Sequence, residues 1–250
     1  MLTISLITLF PDFLTSFLEH SIIKRAQEKE RVRIKVINLR NFAEDNYQTV
    51  DDRPYGGGAG MILKIDIAHK AIQKAEAEAG LAYKVLLSPQ GNLWTQSRAE
   101  DFVANLTVKQ QPNHLLILCG HYEGYDSRID HFIDEKISIG HFVLSSGEVA
   151  ATVMIDSLLR LLPGVLKKDE ATKEETFMRI NKTILSKELD DPSVLDVSET
   201  EIELFEYPQF TRPEEYLGHK VPQVLLSGNH KDIKKWRLSE AWKETQKKQS

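Results

Sequence analysis

The apolar residues of this chain recur in two rhythms. Ile4 to Leu9, Lys84 to Leu87 and Leu115 to Cys119 are short runs of the length of buried strands, and Val32 to Leu39 alternates well enough to predict another. Between them, apolar residues fall three and four apart, the spacing of one helix face. Pro11 opens such a helix to about Lys29, with Phe13, Phe17, Leu18 and Ile22 on one side. Asp66 caps a second to about Ala79, where Gly80 stops it, and Thr95 caps a third to about Leu106. Ile129, Phe132 and Ile133 predict a further helical segment, followed by an apolar piece from Ile137 to Leu144. Val149 to Leu162 is apolar on nearly every side, so it must be buried in a core or against another subunit. Strands alternating with helices predict an α/β fold with a parallel sheet.

Three of these strands end in polar, glycine-punctuated loops: Ser88-Pro89-Gln90-Gly91, Gly120-His121-Tyr122-Glu123-Gly124, and Ile139-Gly140 through Gly147. The carboxyl ends of parallel strands are where open α/β sheets bind ligands, and backbone amides and carbonyls there suit an adenine-and-ribose ligand. The loop Val50 to Met61 is the most unusual, with four glycines in five residues beside Asp51, Asp52 and Arg53. It follows polar residues, unlike a dinucleotide fingerprint, and lacks the Lys-Ser/Thr of a P-loop. Its composition predicts a substrate lid.

Charge changes the picture only locally. The 250 residues carry a formal charge of −5, yet residues 169–206 hold twelve Asp/Glu against four Lys/Arg. From Thr211 onward nine Lys/Arg face five Asp/Glu, a balance that suits RNA as well as it suits a solvated helix face. Residues 163–210 therefore read as an acidic, mostly disordered linker. Order resumes at Thr211, and Ser227-Gly228-Asn229-His230 caps a helix whose Trp236 and Trp242 read as core. There is no 18-residue apolar run and no leader, so a cytoplasmic protein without a membrane span is expected. The single Cys119 lies in an apolar run and offers no disulfide framework, and no metal-ligand spacing is seen.

The chain resembles the bacterial tRNA (guanine-N1)-methyltransferases, the TrmD family of the knotted SPOUT class. The resemblance rests on Leu9-Phe10-Pro11, Thr49 through Gly60, Leu87 through Gly91, Cys119-Gly120 with Tyr122-Glu123-Gly124, Ser138-Ile139-Gly140 and Val143-Leu144-Ser145. It continues through Ile155-Asp156-Ser157, Arg160, Pro163 through Leu166, Tyr207-Pro208, Thr211 through Glu214, Val224 through His230 and Trp236-Arg237. Only about 179–204 lacks a counterpart and reads as an insertion in the interdomain linker.

The resemblance implies a parallel sheet whose C-terminal segment threads a trefoil knot, plus a small, mostly helical C-terminal domain. The domains would be a knotted methyltransferase domain over 1–166, an acidic linker over 167–206 and a tRNA-binding domain over 207–250. It implies S-adenosylmethionine held by Leu87, Ser88, Pro89, Gln90, Gly91, Gly120, Tyr122, Glu123, Gly124, Ser138, Ile139, Gly140, His141, Phe142, Val143, Leu144 and Gly147. Asp51, Arg53, Tyr55, Gly58, Asn229 and His230 would contact the substrate, a tRNA with G at position 37, preceded by another G. A homodimer with shared active sites, the Mg²⁺ used by relatives, and neither DNA nor membrane as partner complete the expectation.

N1 of neutral guanine carries a proton, so methylating it requires a base and a cation near O6. Arg160 matches the family's O6-stabilising arginine. The family's base is an aspartate before Ser-Phe; here the motif reads Glu174-Glu175-Thr176-Phe177. Counting back from Phe177 selects Glu175, and counting forward from Thr172 selects Glu174. His121 for an arginine, Phe142 for a tyrosine, Ser146 for a glycine and His141, aspartate in some relatives, are further departures. The competing readings are a related enzyme with another RNA target and an RNA-binding homologue without catalysis.

Overall fold

The computed structural model describes residues 1–107, 112–166 and 175–249. Contacts divide the chain into two units, Met1–Lys167 and Lys168–Ser250. The strands of the first are β1 (Leu2–Thr8), β2 (Val32–Asn38), β3 (Asp51–Asp52), β4 (Ile62–Leu63), β5 (Tyr83–Leu93), β6 (His114–Leu118) and β7 (Glu135–Ser138). Five of them form one parallel sheet in the order β2-β1-β6-β5-β7, and β3 pairs antiparallel with β4. Helices α1 (Pro11–Leu18), α2 (Ser21–Glu28), α3 (Ile65–Ala79), α4 (Gln96–Thr107) and α5 (Gly147–Leu159) accompany them.

Period-two alternation sends side chains to two cores. Leu115 and Ile117 of β6 face one with Ile4, Leu6, Phe102, Met154 and Leu158, under α1, α2, α4 and α5. Leu116 and Leu118 face the other with Ile7, Ile67, Ala71 and Ile72, under α3. Burying each large aliphatic side chain contributes about 1.5–3 kcal/mol, so this two-faced strand is the sheet's strongest anchor. The polar interruptions are satisfied: His114 Nε2 and Ser5 Oγ lie 2.9 Å apart, and His114 Nδ1 lies 2.8 Å from the Gly80 carbonyl.

Several local expectations change. The helix expected from Pro11 to Lys29 is two, because Ser21 adopts a left-handed φ of 53° that breaks the backbone ladder. Asp66 sits in the first turn of α3, whose N-cap is Lys64, while Gly80 does end the helix. The segment around Ile129 is a single 3₁₀ turn, Ser127–His131, and β7 stops at Ser138, leaving 139–146 as loop. Helix α5 buries Ala151, Met154, Ile155, Leu158 and Leu159 but leaves Val149 and Val153 exposed on one side.

The second unit contains β8 (Met178–Asn181), α6 (Lys182–Leu189), β9 (Glu201–Leu204), β10 (Glu215–Tyr216), β11 (His219–Lys220), α7 (Gln223–Leu226) and α8 (His230–Gln249). The stretch read as an acidic linker over 167–206 is, in its described part, ordered. Antiparallel β8–β9 and α6 bury Leu185, Ile202 and Leu204 against Leu238, Ala241 and Trp242 of α8. Its acids point outward while every few residues one aliphatic side chain turns inward, a pattern that composition averages away. Trp242 is core as expected; Trp236 is half-buried and meets Tyr207 and Phe210.

Candidate active site

Three loops at the carboxyl ends of β5, β6 and β7 enclose a cavity of about 440 Å³. That size lies within the range of small-molecule sites. It is lined by Leu87, Ser88, Pro89 and Gln90, by Gly120, Tyr122, Glu123 and Gly124, and by Ser138, Ile139, Gly140, Phe142, Val143, Leu144 and Gly147. Of the residues expected at the cofactor, Gly91 and His141 do not line it.

The first wall exists because β5 does not end at Leu87 as expected. Ile137 of β7 pairs with both Leu87 and Asn92, so the intervening Ser88–Gly91 bulges out and the strand resumes to Leu93. Gly91 permits this: a Cβ there would lie 2.5 Å from Ile137 N. The far side of the bulge is held by Glu135, which accepts from Asn92 Nδ2 at 2.9 Å, from Tyr83 Oη at 3.0 Å and from Arg98. Burial raises the Glu135 carboxyl, but these hydrogen bonds outweigh it and hold its pKa below the ordinary value. Burial first, and then Glu135, push the Tyr83 phenol up to about 12.

The second and third walls meet where α5 begins. Gly147 donates its N–H to the Gly120 carbonyl at 2.8 Å, and a Cβ on Gly147 would stand 2.5 Å from Gly120 N. Behind this contact Glu148, 1% exposed, accepts a 2.5 Å hydrogen bond from Thr8 Oγ1, while its Oε2 is buried without a partner. Burial, and to a lesser degree Glu148, raise the thiol of the buried Cys119, next to Gly120, well above its ordinary range. Tyr125 is raised mainly by burial too, and donates to the Cys119 carbonyl at 3.2 Å.

Sequence reasoning placed His121, Ser145 and Ser146 in the ligand loops but did not assign Tyr125, Asp130 and Lys136 to the cavity, which all six line. His121 carries a buried Nδ1 without a partner and packs against Phe10 at 4.9 Å. Lys136 pairs with Asp130 at 2.7 Å. Lys136 lies on β7, at the edge of the sheet.

The expected substrate residues are not in this cavity. Asp51 belongs to the β3–β4 pair that closes the glycine loop, at whose tip Tyr55 is fully exposed. Asn229 and His230 begin α8 in the second unit, where Asn229 Oδ1 accepts from Lys231 N at 3.2 Å. Arg160 caps the C-terminus of α5 in the first unit, half-buried, and its N–H donates to the Asp156 carbonyl at 3.4 Å. Glu175 stands in the second unit, in the turn that enters β8, where its carbonyl accepts from Met178 N at 3.0 Å. The alternative base, Glu174, lies outside the described residues. Among the described residues no group of three or more His, Cys, Asp or Glu gathers for a metal ion, and no helix is long and apolar enough to cross a membrane.

Comparison with known proteins extends this geometry. The family model described as tRNA (Guanine-1)-methyltransferase TrmD matches residues 2–250, including the stretch 179–204 expected as an insertion. The tRNA (guanine-N(1)-)-methyltransferase of Bacillus licheniformis is 43% identical over 244 residues, covering 97% of this chain and 88% of the relative. That of Dictyoglomus turgidum is 41% identical over 245 residues, covering 98% and 87%. The crystal structure of tRNA (m1G37) methyltransferase from Aquifex aeolicus superposes with a TM-score of 0.73 at 32% identity, covering all of this chain and 94% of that one. With its parallel sheet, its loop-walled cavity and a match running from end to end, the chain belongs to the TrmD family of tRNA (guanine-N1)-methyltransferases.

Proposed function

We propose that the protein moves a methyl group from S-adenosylmethionine to N1 of the guanine at tRNA position 37. The observation that carries this reading is the cavity at the ends of β5, β6 and β7, within a chain matched along its whole length by methyltransferases of this specificity. Loops rich in glycine, whose backbone amides and carbonyls are open to a ligand, suit an adenosyl group, which needs directional hydrogen bonds more than countercharge. The fifteen expected cofactor residues that line the cavity are its contacts, and Gly91 and His141 support them from outside.

In the reaction, Glu175 takes the proton from guanine N1, and Arg160 stabilises the negative charge that develops at O6. The loop residues lining the cavity would hold the cofactor, which would supply an electrophilic methyl carbon on a positive sulfonium, the carbon–sulfur bond breaking as the deprotonated N1 bonds to that carbon. The proton remains on the Glu175 carboxyl until solvent takes it. The described residues offer Mg²⁺ no ligand cluster, and no step is routed through it.

Asp51, Arg53, Tyr55 and Gly58 of the glycine loop, with Asn229 and His230, form the tRNA contacts in this reading, and 207–250 lies within the tRNA-binding part. The likeness to the Aquifex aeolicus structure along the whole chain supports a knotted path. The exposed Val149 and Val153, one turn apart on α5, support a homodimer that covers them. A tRNA substrate puts the work in the cytoplasm.

The test is methyl transfer from labelled cofactor to tRNA transcripts with G or A at position 37, followed by mapping of the modified atom. Label at N1 of G37 alone is expected. Label elsewhere would favour a related enzyme with another target, and cofactor binding without transfer to any tRNA would favour a non-catalytic homologue.

A further inference from the structure

The glycine loop and the cofactor cavity are distinct in sequence but joined in the structure at one seam. Glu123 N donates to the Met61 carbonyl at 3.1 Å, Leu63 N to the Gly124 carbonyl at 2.9 Å, and Asp126 N to the Leu63 carbonyl at 3.0 Å. Leu63 also bridges Tyr125 in parallel register. The base of the loop is therefore stitched onto the turn that forms one wall of the cavity.

Within that seam the glycines are not equivalent. Gly57 and Gly60 share a left-handed φ, +80° and +88°, so a side chain strains the backbone alike at either. A Cβ on Gly57 would meet nothing within 4 Å. A Cβ on Gly60 would lie 2.5 Å from both Cγ and Oε1 of Glu123 and 2.9 Å from Cδ. Glu123 lies across Gly60 and at the same time lines the cavity.

We infer that Gly60 is a positioning residue for the cofactor wall: its bare Cα seats Glu123, and through Glu123 the base of the glycine loop and the Tyr122–Asp126 turn act as one element. The inference rests on the reading of the cavity as the S-adenosylmethionine site and adds a residue that does not line that cavity. It also accounts for the bare Cα at Gly60, which does not line the cavity. A tRNA engaging the tip of the loop shifts the seat of Glu123, and cofactor in the cavity holds the loop base in place.

The experiment compares Gly60→Ala with Gly57→Ala in the full-length protein, measuring S-adenosylmethionine binding by calorimetry with thermal melting recorded alongside. Gly57→Ala carries the same backbone strain and is expected to bind cofactor within about twofold of wild type. Glu123 is exposed but lies across Gly60, and loss of the cofactor contact it makes from there is worth on the order of tenfold, so Gly60→Ala is expected to bind about tenfold more weakly. In a Glu123→Ala background the Gly60→Ala change should then add nothing. Equal affinities for the two glycine variants, or an undiminished Gly60 effect without the Glu123 side chain, would overturn the inference. Hydrogen exchange on unmutated protein gives a second test independent of variant folding: saturating cofactor should slow exchange at Leu63 N, which lies outside the cavity, and unchanged exchange there would overturn it. Absence of saturable binding to wild type would instead sink the reading of the cavity, and the inference with it.

Discussion

The two units bury their cores by opposite routes. In the first, β6 is five residues long and all five are buried, so one contiguous apolar run serves both faces of a sheet. In the second, Leu185, Val194, Ile202, Leu204, Leu238, Ala241 and Trp242 come from α6, a turn, β9 and α8, each flanked by charge. A contiguous run announces its burial; scattered side chains acquire theirs only when the elements carrying them pair. The proposed chemistry divides along the same line, with the cofactor cavity and Arg160 in the first unit and Glu175 in the second.

The division is tested most severely at Glu175. Glu175→Gln keeps size but removes the proton acceptor, and single-turnover methyl transfer should fall ~10²–10⁴-fold. Cofactor affinity, measured by calorimetry, should stay unchanged, and a parallel loss of both would break the separation. Retained rate in Glu175→Gln with loss in Glu174→Gln would move the base by one residue. Arg160→Ala should cost about 10²–10³-fold in the same assay, and the double variant less than the product, because both groups serve one deprotonation.

Leu185→Ala probes the second core. Truncating a fully buried leucine costs about 2–5 kcal/mol, so exchange of α8 amides should accelerate while β6 amides keep their protection. Equal acceleration in both would show one cooperative core instead of two.

A smaller effect separates the cavity wall from the rest of the first unit. The Tyr83 phenol, held up to about 12 against an ordinary 10.0, favours the protonated native state. Its stabilising contribution is therefore full below pH 10 and lost as pH rises through the window to about 12. Tyr83→Phe should flatten the alkaline limb of a pH–stability curve over that window. The smallest expectation is at Cys119: its raised thiol pKa should leave it unalkylated in native protein near neutral pH, where unfolded protein reacts.

Much of the first unit is legible in the chain because its signals are local. Buried runs end where β1, β2 and β6 end to within a residue or two, and the Gly/Ser-rich segments at β5, β6 and β7 line the cavity. The break at Ser21 and the resumption of β5 after its bulge carry no comparable signal, since each depends on what the backbone packs against. The acidic stretch misled for the same reason: mean composition counts its charges and misses that Ile202 and Leu204 share one face of β9.

By itself the sequence determined the strand–helix order, the three loops that line the cavity, and the family, because these depend on periodicity and on short motifs read along the chain. Tertiary structure alone decided that 178–204 belongs to a core, that Ile137 pairs twice to open a bulge, and that Gly60 lies under Glu123. Those are contacts between residues far apart in sequence, set by sheet register and close packing, and no property of either partner alone contains them.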